Sequence, residues 1–385
     1  MKKLLSLLVK TVFCVVALLV GVYIANTVVD MADPWKDKTP EKLTDIGSPY
    51  KFYYDTLDDV GKHVYNEIIT NVYDMPDKIR IPAVSEGELR LVFAALLADN
   101  PDLFFIGRKC TLISQGIYTY CAMEYYIDAE TCSKQKAELE KVCRDIISSL
   151  SDPDDEFLTE LEIHDRIINN CKYRLEDDEL VYCSSYGALI NGEAGCEGYS
   201  KAAKLLFDMA GIESALVSGI STPEKSEQSN HMWNVVKING DFYHLDCTWD
   251  DPVSKKGKDM LTYNYFNLND EMIAKTHVEK SYDFDCTATA ENYFIKTDSY
   301  FETYSRDDEN RIGKVITDKI NQGIREVYLS FGSKEAYGDA VSDLLDSGRI
   351  YSVLRSVKTK TKISTDSISC LPDPERRVLT LVIDE

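Results

Sequence analysis

The chain has 385 residues, 44% of them hydrophobic, and a formal net charge of −22 at pH 7. This length and composition are typical of a folded protein with two or three domains. The negative charge argues against nucleic acid and anionic lipid headgroups as partners, because both would repel an acidic surface.

Residues 1–32 depart from this soluble composition. Lys2, Lys3 and Lys10 precede the uncharged stretch 11–29, which is about as long as a membrane crossing requires. Basic residues on the N-terminal side predict that this end stays in the cytoplasm and that the rest is exported. We therefore predict a membrane anchor over 1–32 and a single-pass protein of the cell membrane with an extracytoplasmic remainder. A cleaved signal peptide, which would give a secreted protein, is the alternative.

The next part of the chain, 33–152, is predicted to form an α+β region. Apolar residues at helical spacing indicate helices over 55–72 and 129–150. A third helix over 85–98 opens on a capping box. Between these helices, β-rich runs over 103–128 predict a hairpin or small sheet. This region would support the part that follows, and a prosegment that blocks a site is the alternative.

A helix is predicted to begin at Cys196, directly after a loop-type sequence, and to end at the C-cap Gly211. Unpaired N–H groups and the helix dipole at such a position favour thiolate over thiol and offer donors to an oxyanion. Gly195 and Gly198 would let a substrate carbonyl approach the backbone closely. Cys196 is therefore a candidate nucleophile.

A β-hairpin follows. The segment 231–238 alternates and is rich in β-branched residues, Asn239-Gly240 is a strong signal for a two-residue turn, and 241–249 reads as the returning strand. The polar stretch 222–230 just before this hairpin is predicted to be a flexible loop that shapes substrate access.

The turn predicts which side chains share a face of the hairpin. Counting outward from it, Trp233 faces Asp246 and His231 faces Thr248. His231 and Asp246 are then diagonal neighbours within side-chain reach, and a carboxylate there can orient an imidazole. Cys196, His231 and Asp246 together supply the nucleophile, the base and the orienting carboxylate that thiol catalysis requires.

Motifs in this part of the chain resemble those of the bacterial transglutaminase-like superfamily. The segments that carry the resemblance are 186–192, 195–202, 211–212, 217–219, 231–234 and 243–252. The flanking segments 96–101 and 265–268 also resemble cell-surface proteins of this family. The resemblance implies that Cys196 is the nucleophile, His231 the general base and acid, and Asp246 the orienting residue. Tyr186 and Trp233 are further candidates for oxyanion or substrate contact, and for Tyr186 a packing role is the alternative.

The resemblance also implies the fold. We expect an α+β protein whose papain-like core packs a helix-start cysteine on an antiparallel sheet that carries histidine and aspartate. The predicted parts are an anchor or signal segment over 1–32, an N-terminal α+β region over 33–152, a catalytic core over 153–295 and a small C-terminal α/β domain over 296–385.

The function that follows is an extracytoplasmic thiol enzyme acting on amide bonds of proteins or peptides through an acyl-enzyme on Cys196. Water or an amine would resolve that intermediate, and hydrolysis is favoured because no amine-binding site is identified. One alternative is a catalytically silent surface module whose cleft binds peptide or cell-wall material, and another is an anchored regulatory or assembly factor. No metal or cofactor is predicted, because the sequence lacks zinc-type spacing and a phosphate-binding loop.

Overall fold

A computed structural model describes residues 2–174, 180–222, 228–252, 261–282 and 284–384. The predicted access loop over 222–230 falls largely outside them. The helices are α1 Lys2–Ala32, α2 Phe52–Asp55, α3 Asp59–Asn71, α4 Glu86–Asp99, α5 Ala129–Ser148, α6 Glu156–Asn170, α7 Cys196–Ala210, α8 Asp270–Ile273, α9 Tyr293–Lys296, α10 Glu309–Asn321, α11 Lys334–Val341 and α12 Ile350–Ser356.

The strands have two to ten residues, and most fall within the range usual for globular proteins. They are β1 Ile79–Ile81, β2 Ile106–Gln115, β3 Tyr118–Tyr125, β4 Lys172–Tyr173, β5 Glu193–Ala194, β6 Ser214–Ser221, β7 Ser229–Ile238, β8 Asp241–Leu245, β9 His277–Glu279, β10 Tyr300–Phe301, β11 Glu326–Phe331, β12 Ile368–Asp373 and β13 Val378–Ile383.

The segment predicted as an anchor forms the helix α1. Among the residues that the structure describes, none of the helices combines the length and the apolarity needed to pass through a membrane. The anchor, signal and cell-surface assignments stay predictions.

The chain divides into two compact units, and the predicted boundaries at 152 and 295 stay predictions. Unit one comprises residues 1–149 and 174–216, and unit two comprises 150–173 and 217–385. Cys196 belongs to unit one, whereas His231 and Asp246 belong to unit two.

Unit one is built on the antiparallel sheet β1-β3-β2. The predicted hairpin is confirmed, with β2 and β3 joined at Gly116. The predicted capping box is confirmed as well, because Ser85 and Glu88 exchange the two hydrogen bonds at the start of α4. Helices α3 and α4 bury their apolar faces in one core with this sheet.

A buried lysine fixes α7 within unit one. The side chain of Lys204 is 1% exposed, and its ammonium donates to Ser48 Oγ at 3.1 Å, to the carbonyl of Ser214 at 2.9 Å and to Asp208 at 3.1 Å. A buried charge is tolerated only when its donors are satisfied in this way. These bonds hold the helix that begins at Cys196 in one orientation within its unit.

Unit two contains two four-stranded sheets. The first has the order β8-β7-β6-β9, with β6 counted from Val217, and the second has the order β10-β11-β13-β12. In the second sheet β10 runs parallel to β11 and the other pairs are antiparallel. Helices α10, α11 and α12 share a core with this second sheet, which gives the expected small α/β arrangement.

Candidate active site

The hairpin of β7 and β8 folds in the predicted register. Asn239 and Gly240 join the strands with φ angles of 53° and 96°, which are those of a type I′ turn. The ladder pairs 234–238 with 241–245, and Ile238 lies opposite Asp241 as expected.

The chain leaves this ladder at Asp246, earlier than the sequence suggested. The strand predicted to run to Trp249 ends at Leu245. Asp246 Oδ1 accepts hydrogen bonds from the backbone N–H groups of Thr248 at 3.0 Å and Trp249 at 3.2 Å. An aspartate that satisfies its own following backbone in this way competes with the sheet and starts a turn. The predicted cross-strand pairs beyond Leu245 are therefore wrong.

His231 and Asp246 nevertheless meet. His231 Nε2 lies 2.7 Å from Asp246 Oδ2, and the two side chains are 5% and 0% exposed. Burial by itself would raise the pKa of Asp246, but the imidazoles of His231 and His277 outweigh burial and hold that pKa well below its usual range. The carboxylate therefore stays ionised, and it can fix the tautomer of His231 and stabilise its charged form.

His277 is a second imidazole on the same carboxylate, and sequence reasoning missed it. Its Nε2 lies 3.1 Å from Asp246 Oδ2, its Nδ1 lies 2.9 Å from Thr276 Oγ1, and its side chain is fully buried. It opens the strand β9, which pairs with β6. No local motif marks it, because its partner lies 31 residues earlier in the chain.

Aromatic rings enclose the two imidazoles. The Trp249 ring centre lies 4.5 Å from that of His277 and 5.9 Å from that of His231. The Trp233 ring lies 5.0 Å and 6.0 Å from the same two rings. Such an enclosure lowers the local dielectric and strengthens the hydrogen bonds to Asp246.

Trp233 supports this arrangement from inside the core. Its side chain is fully buried, and Nε1 donates to His244 Nδ1 at 3.1 Å. His244 in turn donates from Nε2 to Asp270 at 3.0 Å. Burial lowers the pKa of His244 against the opposing effect of Asp270, which fits a neutral ring that accepts at one nitrogen and donates at the other. A buried Trp233 is placed to hold His231, and it offers no surface to a substrate.

The turn after Asp246 is anchored by a further buried pair. Asp250 Oδ2 lies 3.3 Å from His164 Nε2, and Asp250 also accepts the backbone N–H of Tyr265 at 3.0 Å. Burial lowers the pKa of His164, but Asp165 and Asp250 outweigh it and raise that pKa to about 9. His164 on α6 is thus a structural residue that holds the turn in place.

Cys196 is the first residue of α7, as predicted. The N-cap residue Gly195 has an extended backbone, and its N–H donates to the carbonyl of Tyr182 at 2.9 Å. The Cys196 side chain is partly exposed, whereas most of the other cysteines are buried. The N–H groups of Gly198 and Tyr199 donate to the Gly195 carbonyl at 3.0 Å and 3.1 Å. The N–H groups of Cys196 and Glu197, which precede them at the helix start, are therefore the candidate donors to an oxyanion.

Gly198 has a packing role that the sequence did not indicate. A Cβ added there would lie 2.6 Å from the Tyr182 carbonyl oxygen and 2.7 Å from the Cβ of Ala194. The space beside Gly198 is therefore filled by the protein itself. The expected approach of a substrate carbonyl at this glycine is wrong, because the glycine seats α7 on the preceding segment.

The carboxylate next to the candidate nucleophile is neutralised. Glu197 lies 2.8 Å from Lys201 Nζ and 2.5 Å from Arg108. Burial would raise the pKa of Glu197, but these two cations lower it below its ordinary value. The negative charge beside Cys196 is thus paired, and Arg108 is a partner that no local motif reveals.

Tyr186 takes a packing position. Its ring stacks on Phe104 at 5.2 Å, and its hydroxyl donates to Glu138 at 2.7 Å. Burial and the neighbouring Glu138 raise the pKa of Tyr186 to about 12. The hydroxyl is engaged within unit one, and a role in oxyanion or substrate contact stays a prediction.

Two groups in the described part of the chain could offer three metal-ligand atoms each. They are His231, Asp246 and His277, and His244, Asp270 and Cys286. In both groups the imidazole nitrogens nearest the carboxylate already donate to it. In the second group Trp233 also donates to His244 Nδ1. Metal binding at His244 Nε2 would require the ring proton to move to Nδ1, and the hydrogen bond from Trp233 opposes that move. The prediction that no metal or cofactor is used stays a prediction.

Comparison with known families identifies the core that carries these residues. Residues 140–247 match the model of the transglutaminase-like superfamily, a range that includes Cys196, His231 and Asp246. The chain carries a transglutaminase-like core. With its mixed helices and strands, this core confirms the predicted fold class.

Solved structures resemble the chain only distantly. A TGase shares 16% identity over 45% of this chain and 50% of its own, with a TM-score of 0.26. A candidate cysteine protease from Cytophaga hutchinsonii shares 12% identity over 40% and 65%, with a TM-score of 0.26. A candidate protease from Parabacteroides distasonis shares 9% identity over 72% and 62%, with a TM-score of 0.25.

The alignment thus spans less than two thirds of each of these proteins. No curated protein matches the chain.

Proposed function

We propose that this chain is a thiol enzyme that acts on amide bonds of peptides or proteins through an acyl-enzyme on Cys196. The observation that carries the proposal is the buried hydrogen bond from His231 Nε2 to Asp246 at 2.7 Å. It assigns Nε2 to the carboxylate, so that Nδ1 is the ring atom that exchanges protons with the thiol. The start of α7 at Cys196 and the match to the transglutaminase-like superfamily give further support.

The reaction would proceed in two balanced halves. His231 Nδ1 takes the proton of the Cys196 thiol, and Sγ forms a bond to the amide carbonyl carbon. Backbone N–H groups at the start of α7 stabilise the oxyanion. The C–N bond then breaks, the amine leaves with the proton from His231, and a thioester remains.

In the second half an acceptor resolves the thioester. Water or a primary amine gives its proton to His231 and bonds to the carbonyl carbon, after which the C–S bond breaks and the thiol regains the proton. Water yields a carboxylic acid, and an amine yields a new amide. We propose hydrolysis as the main outcome, because no amine-binding site is identified in the sequence.

The ionised Asp246 carries a specific part of the mechanism. The imidazolium that forms at His231 during proton transfer is stabilised by the buried carboxylate 2.7 Å away. The proposal also requires that Cys196 Sγ comes within hydrogen-bond reach of His231 Nδ1.

The test is active-site labelling of the full chain with limiting amounts of a peptidyl thiol electrophile, read by mass spectrometry. We expect labelling to be confined to Cys196, to be absent in Cys196→Ala and to be slowed about 100-fold or more in His231→Asn. His63→Asn is the matched control, because His63 is a partly exposed histidine in unit one that hydrogen-bonds to a backbone carbonyl. Slow labelling spread over several cysteines and unchanged in His231→Asn would contradict the proposal.

A second assay separates hydrolysis from transfer. The labelled thioester formed from a peptide thioester or ester is chased with water alone or with a dansylated primary amine. If the free acid is the main product even when the amine is present, hydrolysis is supported. If the dansylated amide is the main product instead, transfer is established.

A further inference from the structure

A cavity in unit two lies between core residues and the C-terminal α/β part of the same unit. Its volume is about 460 Å³, which is within the range of small-ligand sites. Trp249 and Tyr265 line it from the core, and Phe331 of β11 and Arg377 of the turn between β12 and β13 line it from the C-terminal part. The cavity therefore has the size for a substrate group and walls from two parts of unit two.

The cavity shares residues with the candidate active site. Trp249, whose ring lies 4.5 Å from His277, forms part of its lining. Thr276, whose hydroxyl lies 2.9 Å from His277 Nδ1, also lines it. A group held in the cavity would thus lie one side chain away from the imidazole that contacts Asp246.

The charge of the lining is opposite to that of the chain. The chain has 65 acidic and 43 basic residues, yet the charged residues of the lining are Lys275, Arg376, Arg377 and Glu375. Arg376 is paired with Asp373 at 3.0 Å. With Arg376 paired, Lys275 and Arg377 remain against Glu375, so this concave surface has a net positive charge that attracts anions.

Arg377 is the cation that most needs a partner. Among the described residues its Nε is buried and has no hydrogen-bond partner, and leaving a buried donor of a charged group unsatisfied is costly. Its φ angle is 57°, in the left-handed region that glycine and asparagine adopt more easily. The backbone of this turn between β12 and β13 does not explain why the position holds an arginine. Binding of a ligand by the arginine side chain explains it better.

The shape of the remaining wall selects among anions. Trp249 and Tyr265 meet edge to face at 4.9 Å and offer apolar surface beside the guanidinium. A planar carboxylate on a short apolar stem fits such a pairing, because guanidinium binds carboxylate through two parallel hydrogen bonds.

We propose that this cavity is a substrate subsite that binds a carboxylate-bearing residue of the peptide, with Arg377 as its main contact. This inference rests on the proposed function, since the bound peptide is a substrate only if the chain is a thiol enzyme. The binding itself does not depend on catalysis. It also gives the C-terminal α/β part a role in specificity.

Binding is measured by calorimetry on the full chain with Cys196→Ala, so that no turnover occurs. The probes are three blocked tripeptides that differ only at the central residue, which is glutamate, glutamine or phosphoserine. We expect the glutamate peptide to bind about tenfold more tightly than the glutamine peptide, the factor of one charge-assisted contact. Equal binding of glutamate and glutamine peptides would overturn the proposal, and so would a preference for phosphoserine alone.

Substitutions locate the contact. Arg377→Gln should remove the preference for glutamate, and Arg377→Lys should restore part of it because the charge returns without the planar fork. Arg355→Gln is the matched control, since Arg355 is an exposed arginine of the same unit. Unchanged preference in Arg377→Gln, with a melting temperature equal to that of the control, would overturn the assignment.

The two proposals fail separately. If Cys196 is not selectively labelled while the glutamate preference and its dependence on Arg377 persist, the enzyme proposal fails and the cavity stands as a peptide-binding site. If labelling is selective but Arg377→Gln leaves the preference intact, the subsite fails and the enzyme proposal stands.

Discussion

His277 and Asp246 are 31 residues apart in the sequence, yet His277 Nε2 lies 3.1 Å from Asp246 Oδ2. The same oxygen lies 2.7 Å from His231 Nε2. One buried carboxylate thus serves two imidazoles, and both depend on its staying ionised. This relationship makes Asp246 the centre of the site in unit two and gives His277 a positioning role.

Asp246→Asn should leave the fold intact and slow the labelling of Cys196. An amide cannot stabilise the imidazolium and can hold the wrong tautomer of His231, so we expect a loss of about 100- to 10,000-fold. The rate of labelling by a peptidyl electrophile measures this. Asp298→Asn is the matched control, because Asp298 lies in the same unit and pairs with Arg311 at 2.8 Å instead of with a histidine. Equal losses in the two variants would mean that the effect is not specific to the candidate site.

Replacement of His277 should alter how labelling depends on pH. His277→Phe removes a donor to Asp246 and should slow labelling about tenfold or more, whereas His277→Gln keeps a donor and should recover part of the rate. A role confined to packing would change the melting temperature without moving the pH profile. Superimposable pH profiles for the original chain and His277→Phe would contradict a positioning role.

Gly219→Ala should destabilise unit two. A Cβ at Gly219 would lie 2.1 Å from the Val278 carbonyl oxygen and 2.9 Å from the Trp233 ring, so β9 and the ring below His231 would both have to move. We expect a loss of roughly 2 to 4 kcal/mol in the free energy of unfolding, measured by urea denaturation. Gly338→Ala is the control, because a Cβ there meets nothing within 4 Å. It should be neutral or stabilise α11 by up to about 1 kcal/mol.

Glu160→Gln should stabilise the protein at alkaline pH. Burial raises the pKa of Glu160 to about 8 from its ordinary value of 4.5, against the effect of a hydrogen bond from Asn267. A raised folded-state pKa contributes stability that is fully present below pH 4.5 and is lost as pH rises through about 8. Glutamine mimics the protonated form, so the gain should be on the order of 5 kcal/mol at pH 9 and near zero at pH 4.

Thermal unfolding of both proteins across that pH range measures this difference. Glu130→Gln is the control, because the Glu130 side chain is 81% exposed. A difference between Glu160→Gln and the original chain that does not grow with pH would show that Glu160 is not held in its neutral form.

Patterns of short range predicted much of the site. The turn at Asn239-Gly240 gave the correct register of its hairpin because its φ angles are encoded by two adjacent residues. The helix start at Cys196 followed from local composition in the same way. The prediction failed at Asp246, where hydrogen bonds from Thr248 and Trp249 end the strand. Strand propensity alone does not record that competition.

The sequence by itself determined the helix that begins at Cys196, the hairpin register and the nearness of His231 to Asp246, because each depends on residues close together in the chain. Only the tertiary structure decided that His277 joins Asp246 and that Arg377 lines a cavity with Trp249. These contacts depend on how β9 pairs with β6 and on where the turn between β12 and β13 ends. Periodicity reports which face of an element is buried but not which distant element covers it.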